Sequence, residues 1–188
     1  MYKGVINIMI DKNFSLIIPF YNDSKTIECL VERSIDFFNI NKIRYEIIIV
    51  NDNSPDNYKN ILNKLSKLKN LKIIKHHSNI GYGAAIKTGL KHSSYDQVIT
   101  IDGDNEYDIF ECEKFLKIIN FYPLIITFRY KKLYSTKRIF ISYIYNFLIR
   151  FFFKTHFRDI STGLRFFNKK ILSDITHELS DSPFFGAE

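Results

Sequence analysis

Between Phe14 and Phe128, short apolar runs alternate with segments of helical period. That alternation constrains the fold more than any other feature of the chain. Phe14–Ile18, ended by Pro19, reads as a buried strand, and so do Tyr45–Val50, Leu71–Lys75, Gln97–Ile101 and Leu124–Phe128. Between them, Ser24 can cap a helix to about Asn39 that gathers Ile27, Leu30, Val31, Ile35 and Phe38 on one face. Ile61, Leu62, Leu65 and Leu68 mark a second helix, Gly81 to about His92 a third, and Asp108–Asn120 a fourth. The strands are continuously apolar rather than alternating, as strands are when both faces are covered. The expected fold class is therefore α/β, a mostly parallel sheet flanked by helices.

A parallel sheet binds ligands outside the carboxyl ends of its strands. The polar motifs of this chain follow Ile18, Val50, Lys75 and Ile101, so four loops are expected to converge on one crevice. Asp102-Gly103-Asp104 is the most informative of them. Two carboxylates one residue apart, just past a buried strand, repel each other unless a cation lies between them. Hard oxygen ligands of this kind select Mg²⁺ or Mn²⁺ and bridge it to substrate phosphates. Glu106 is a further candidate ligand. In Asn79-Ile80-Gly81-Tyr82-Gly83-Ala84-Ala85, small residues at a helix start let backbone amides approach an anion. It is not the dinucleotide fingerprint, because Ile86 stands where the third glycine belongs. Asp52, past the second strand, can accept hydrogen bonds from a nucleoside's ring N–H or ribose hydroxyls, and Asp56 is expected to cap the next helix.

The remainder of the chain is different. Arg129–Lys170 holds 11 of the 27 Lys/Arg and one of the 20 Asp/Glu, so the net charge of +7 resides there and the rest is slightly acidic. Aromatics interleave with those charges, which points to phosphates on a substrate or a membrane surface. Arg138, Ser142, Asn146 and Arg150 form the only polar stripe along Ile139–Phe153, whose other residues are Ile, Leu, Phe or Tyr. At ~1.5 Å per residue this helix spans roughly 22 Å, short of the ~30 Å bilayer core. Burial against the domain and partial immersion in the membrane surface both fit, and the flanking Lys131, Lys132, Lys137, Lys154 and Arg158 favour the membrane. His76 and His77 read as solvated loop histidines. Cys29 and Cys112 lack metal-like spacing and read as buried thiols in a reducing compartment. Residues 1–10 do not read as a signal peptide, since Asp11 and Lys12 follow the single apolar patch. One domain over residues 1–188 is expected, with a nucleotide- and metal-binding half at about 14–128 and a basic, aromatic acceptor-side half at about 129–188.

Taken together and in this order, the motifs resemble family-2 glycosyltransferases, in particular the polyprenyl-phosphate (dolichyl-phosphate mannose synthase-like) group. The resemblance runs from about Phe14 to the end of the chain. It implies a glycosyltransferase A-type, Rossmann-like sheet. Pro19, Tyr21 and Asp23 fall where the family contacts the nucleotide, and Asp52 falls in its second nucleotide-binding loop. Gly81 and Gly83 match its glycine-bearing helix start, and Asp102 and Asp104 its metal-binding acidic motif. Glu106 stands where many members carry Gln. Arg129 and Arg138, with Ser142 and Asn146, resemble the arginines and neighbours that hold phosphates. Asp159-Ile160-Ser161-Thr162-Gly163-Leu164-Arg165 resembles the late acceptor-side signature, which puts Ser142, Asp159, Thr162, Gly163 and Arg165 near the acceptor. Thr127-Phe128 replaces the usual Gly-Ser, Leu164 replaces Phe, and the chain ends at Glu188 where members continue, so the acceptor half is expected to be incomplete.

The implied activity is metal-assisted, inverting transfer of a sugar from a UDP- or GDP-sugar to a polyprenyl phosphate, at the cytoplasmic face of a membrane. Asp102 and Asp104 would hold Mg²⁺ or Mn²⁺, and Arg129 and Arg138 would stabilise the diphosphate charge or guide the incoming phosphate. A lipid phosphate needs no protein base. A saccharide hydroxyl, as in surface-polysaccharide synthesis, would need one, with Asp159 or Glu188 as candidates. A truncated, non-catalytic nucleotide-binding or membrane-associated protein is the further alternative. A nucleotidyltransferase is disfavoured by Pro19-Phe20-Tyr21-Asn22 where its Gly- and Arg/Lys-rich loop belongs, and a nucleic-acid binder by the greasiness of the basic region.

Overall fold

The computed structural model describes residues 13–22, 24–55, 58–104, 106–127, 136–153 and 162–172. Four parallel strands, β1 (Asn13–Phe20), β2 (Arg44–Asn51), β3 (Leu71–Lys75) and β4 (Gln97–Thr100), are joined by α1 (Ser24–Ile40), α2 (Lys59–Leu65) and α3 (Tyr82–His92). After β4 the chain makes a 3-10 turn at Ile109–Cys112, then α4 (Glu113–Leu116), β5 (Leu124–Ile126), α5 (Thr136–Phe153), β6 (Arg165–Asn168) and α6 (Lys169–Leu172). The sheet order is β3-β2-β1-β4-β6-β5, with β6 antiparallel to both neighbours. This is the expected α/β class, and its strand order reverses between β1 and β4, where doubly wound sheets open a ligand crevice.

Both faces of the sheet are apolar because successive residues of each strand serve opposite layers. Phe14, Leu16, Ile18 and Phe20 pack with α1 through Ile27, Leu30, Val31 and Phe38. Ile17 packs on the other face with Ala85, Ile86 and Leu90 of α3. Pro19 does not end β1, which continues to Phe20 in register with Asn51. Pairing with β4 stops at Ile17 opposite Thr100, so Pro19 has a strand neighbour on one side only and its missing N–H is tolerated. The helix expected over residues 108–120 is instead a 3-10 turn and one short α-turn, with the Asp108 side chain accepting from Phe110 N at 3.1 Å. Leu68 lies beyond α2 and is partly exposed. Cys112 is buried as expected, whereas Cys29 is exposed on α1, two residues from the inward-facing Ile27 and so off its apolar face. Asp56 lies outside the described residues.

At the end of the sheet away from the motif loops, buried Glu46 ties four segments together. It accepts from Ser15 Oγ on β1 at 2.7 Å, from Lys72 Nζ on β3 at 2.7 Å, and from the backbone N–H and hydroxyl of Ser94. Burial alone would push its carboxyl up, but Lys72 and the Ser94 and Ser15 donors outweigh it and hold the group below the ordinary range. A depressed folded pKa contributes stability above the unfolded value and loses it as pH falls through the folded one. Glu46→Gln should therefore lower stability at pH 7 by about 2 kcal/mol. It should also flatten the acid side of the stability curve, as read by urea melts between pH 3 and 7.

Candidate active site

The four motif loops do meet. A cleft of about 310 Å³ at the carboxyl ends of the strands is lined by Pro19 near the end of β1 and Tyr21 after it, Asp52 after β2, Asn79, Gly81 and Tyr82 before and in α3, and Asp102 and Asp104 after β4. The β1 loop is pinned to the β2 loop. Asn22, at φ 58°, donates its N–H to Ser54 Oγ at 3.2 Å and accepts from Tyr58 Oη at 2.5 Å, and Asn51 Oδ1 accepts from Ser54 N at 2.8 Å. Thr26 on α1 holds the β4 loop by donating to the Gly103 carbonyl at 2.5 Å.

Asp52 is buried and organises the loop before α3. Its Oδ1 accepts from Ile80 N at 3.0 Å and its Oδ2 from Gly81 N at 2.8 Å. Gly81 takes φ 100°, a conformation that favours glycine, which lets two successive amides face one carboxylate. Gly83 lies buried in the first turn of α3 and does not line the cleft. His76 corrects the reading of solvated histidines. Its Nδ1 contacts Asp52 Oδ1 at 2.7 Å, its Nε2 contacts Thr88 Oγ1 of α3 at 2.9 Å, and its side chain is only 10% exposed. Its partners lie 24 residues before and 12 after it, so no local spacing announced them. His77 is exposed, as expected.

Asp102 forms the floor of the cleft. Its Oδ1 and the Tyr82 hydroxyl are both buried, and although the two groups lie near enough to interact, neither atom completes a hydrogen bond of normal geometry. Burial pushes the Asp102 carboxyl up to about 6. The nearby Tyr82 hydroxyl and the Arg165 guanidinium oppose that rise, while Asp104 and Glu106 add to it. Burial, with the Asp102 charge beside it, also pushes the Tyr82 phenol up. A buried carboxylate oxygen without a donor is costly, and a divalent cation would satisfy it. Asp104 is exposed at the rim, and its Oδ1 accepts from Glu106 N at 3.0 Å. The Glu106 side chain is exposed and is not part of the cleft lining. Among the described residues no three His, Cys, Asp or Glu groups converge as a metal cage, so Asp102, Asp104 and Glu106 do not form one. The pair that fits a cation is Asp102 and Asp104, with the rest of its shell left for phosphate oxygens.

Thr162, Gly163 and Arg165 are buried behind Asp102. Thr100 Oγ1 donates to the Gly163 carbonyl at 3.2 Å, Thr162 Oγ1 donates to Tyr107 Oη at 2.7 Å, and Thr127 Oγ1 donates to the Leu164 carbonyl at 2.8 Å. Gly163 packs so closely on Asp102 that a Cβ there would overlap its carboxylate. The late signature therefore supports the acidic motif from behind, and β6, which carries Arg165 opposite Thr100, is the strand that delivers it. Asp23, Arg129, Asp159 and Glu188 lie outside the described residues, as does the side chain of Arg138.

α5 turns its polar stripe inward and its apolar surface outward. Asn146 is buried and donates to the Ser142 carbonyl at 2.8 Å, and Arg150 Nε donates to the Asn146 carbonyl at 3.2 Å. Phe140, Ile141, Tyr143, Phe147, Phe151 and Phe152 are each more than half exposed. Among the described residues no helix is long and apolar enough to cross a membrane.

Comparison with known proteins agrees with this arrangement. The family described as glycosyl transferase family 2 matches residues 15–176. A dolichyl-phosphate beta-glucosyltransferase of Trichomonas vaginalis is 30% identical over 111 residues, covering 56% of this chain and 33% of the relative. Among solved structures, S. aureus TarS superposes with a TM-score of 0.65 at 20% identity, over 93% of this chain and 53% of that one. The mannosyltransferase PcManGT from Pyrobaculum calidifontis, solved with GDP-Man and Mn²⁺, superposes at 0.60 and 14% identity, over 86% of this chain and 46% of that one. At these identities the solved structures share the fold. The chain spans about a third of the curated relative and about half of the solved chains.

Proposed function

The chain belongs to glycosyl transferase family 2, and from that premise we propose that its cleft binds a nucleotide-diphosphate sugar and transfers the sugar to a polyprenyl phosphate at a membrane surface. The observation that carries this reading is the buried, unpartnered Oδ1 of Asp102 at the meeting point of four strand-end loops. Asp102 and Asp104 would hold Mg²⁺ or Mn²⁺, and the solved mannosyltransferase holding GDP-Man and Mn²⁺ supports the pairing of metal with sugar nucleotide. A bound divalent ion supplies charge neutralisation for the departing diphosphate.

The residues of the chain do the rest by placement. The first-turn amides of α3 and its helix dipole favour the diphosphate. Asp52 faces the base, with Pro19, Tyr21 and Asp23 completing the nucleotide site. Arg129 and Arg138 would meet the acceptor phosphate, and Ser142 and Asp159 the acceptor side. An oxygen of the lipid phosphate forms the new bond to the anomeric carbon as the bond to the diphosphate breaks, with inversion. That oxygen is already anionic, so no proton has to be removed. The dolichyl-phosphate enzyme among the relatives supports this acceptor class. So does α5, whose outward Phe, Ile and Tyr side chains suit the acyl boundary and which lysines flank in the sequence.

The test is transfer from a panel of sugar nucleotides to polyprenyl phosphate in anionic vesicles, with Mn²⁺ or with a chelator. A lipid-linked sugar that forms only with metal is expected. Transfer to a soluble saccharide but not to lipid would overturn the acceptor assignment. Phe147→Glu with Phe151→Glu should weaken vesicle co-sedimentation by at least about tenfold while leaving nucleotide affinity unchanged.

A further inference from the structure

We propose that His76 makes the cleft selective for a nucleotide whose base offers a single ring N–H, uracil or thymine, over guanine. The inference rests on the nucleotide-sugar reading above and deepens it. A carboxylate has about four lone-pair sites for donors. In Asp52, Oδ1 is filled by Ile80 N at 3.0 Å and His76 Nδ1 at 2.7 Å, and Oδ2 receives Gly81 N at 2.8 Å. Asp52 lines the cleft, and its Oδ2 holds one donor where Oδ1 holds two, so the remaining acceptor position is on Oδ2.

One of these three donors, His76, is a side chain, and it is held from both ring nitrogens. Facing a carboxylate, Nδ1 is the ring nitrogen placed to donate, while Nε2 meets the Thr88 hydroxyl at 2.9 Å. Thr88 is on α3, so the helix that opens at Gly81 also clamps the imidazole against Asp52.

Uracil and thymine present one N–H between two carbonyls, which matches a single open acceptor. Guanine presents an adjacent ring N–H and amino group, a pair that needs both carboxylate oxygens at once. With Oδ1 filled, one guanine donor would be buried unpaired. Adenine and cytosine place a ring-nitrogen acceptor beside their amino group, facing the carboxylate lone pairs. The cost of one unpaired buried donor corresponds to about ten- to a hundredfold in affinity.

Calorimetric titration of the 188-residue chain with UDP, dTDP and GDP in the presence of Mn²⁺ tests this. UDP and dTDP should bind at least about tenfold more tightly than GDP. His76→Ala reopens an acceptor position on Oδ1 and should bring the UDP-to-GDP ratio toward one, through tighter GDP binding. His76→Asn, which keeps a donor to Asp52, should preserve the ratio. GDP binding as tight as UDP in the unaltered chain would overturn the selectivity and leave the nucleotide site standing. An unchanged ratio in a folded His76→Ala would overturn the role of the imidazole. Failure of every nucleotide to bind would overturn both readings.

Discussion

Asp102→Asn is expected to abolish metal-dependent transfer while raising the melting point of the metal-free protein. The two effects share one cause. Burial lifts the Asp102 carboxyl to about 6, well above its ordinary value, so the fold disfavours the ion that the cation needs. Below about pH 4 the group is protonated in both folded and unfolded chains and makes no difference. Between about pH 4 and 6 the unfolded chain ionises first and the fold loses stability, reaching up to about 3 kcal/mol above pH 6. Asparagine has the same shape and no charge, so it escapes that loss. The variant should melt roughly 5–10 °C higher than the parent at pH 7 without metal, an advantage that fades toward pH 4. Its Mn²⁺-induced thermal shift should vanish, and turnover should fall by about a thousandfold or more. Asp104, exposed at the rim, carries no such burden. Asp104→Asn should lose turnover without gaining stability. A lower melting point for metal-free Asp102→Asn at pH 7, or a retained Mn²⁺ shift, would overturn the assignment.

The acidic pair behind this prediction was legible in the sequence because Asp102 and Asp104 follow the buried strand β4. Strands β1 to β4 were legible for the same reason, since short runs rich in Ile and other apolar residues suit a sheet covered on both sides. β6 was not. Arg165-Phe166-Phe167-Asn168 is four residues long and begins with a buried arginine, so its strand character comes from pairing with Thr100 and Ile126 rather than from local pattern. The 108–120 segment has enough apolar residues for a helix, yet Asp108 caps a 3-10 turn instead while Arg33 of α1 pairs with the same carboxylate at 2.5 Å. The roles of His76 and Tyr82 were not legible because the fold, not local spacing, brings Asp52 and Thr88 to His76 and sets Tyr82 beside Asp102. Spacing records what is near along the chain, whereas His76, just after β3, reaches the loop after β2 and helix α3, and Tyr82 on α3 reaches toward the loop after β4.

Gly163→Ala is expected to leave a folded protein that has lost most of its metal affinity. Gly163 does not have positive φ, so alanine meets no backbone penalty there. The obstacle is steric and has one identity. A Cβ at this position would come within 2.5 Å of the Asp102 carboxylate carbon and both its oxygens. The Gly163 backbone cannot retreat easily, because Thr100 Oγ1 holds its carbonyl and the neighbouring Thr162 is tied to Tyr107. The carboxylate is the movable partner, free to swing at the end of its side chain. That swing costs the fold about 1–2 kcal/mol by overpacking, but it carries Oδ1 away from the place where Asp104 can share a cation. Turnover should fall at least about a hundredfold, with a similar loss of Mn²⁺ affinity by titration, while the circular dichroism and cooperative melt of the parent persist. Adding Asp102→Ala to Gly163→Ala makes room for the new methyl. The double variant should regain the melting point of Asp102→Ala without regaining metal binding. Parental Mn²⁺ affinity in Gly163→Ala would mean that the carboxylate does not need the glycine behind it, and the floor of the cleft would have to be assigned to other residues.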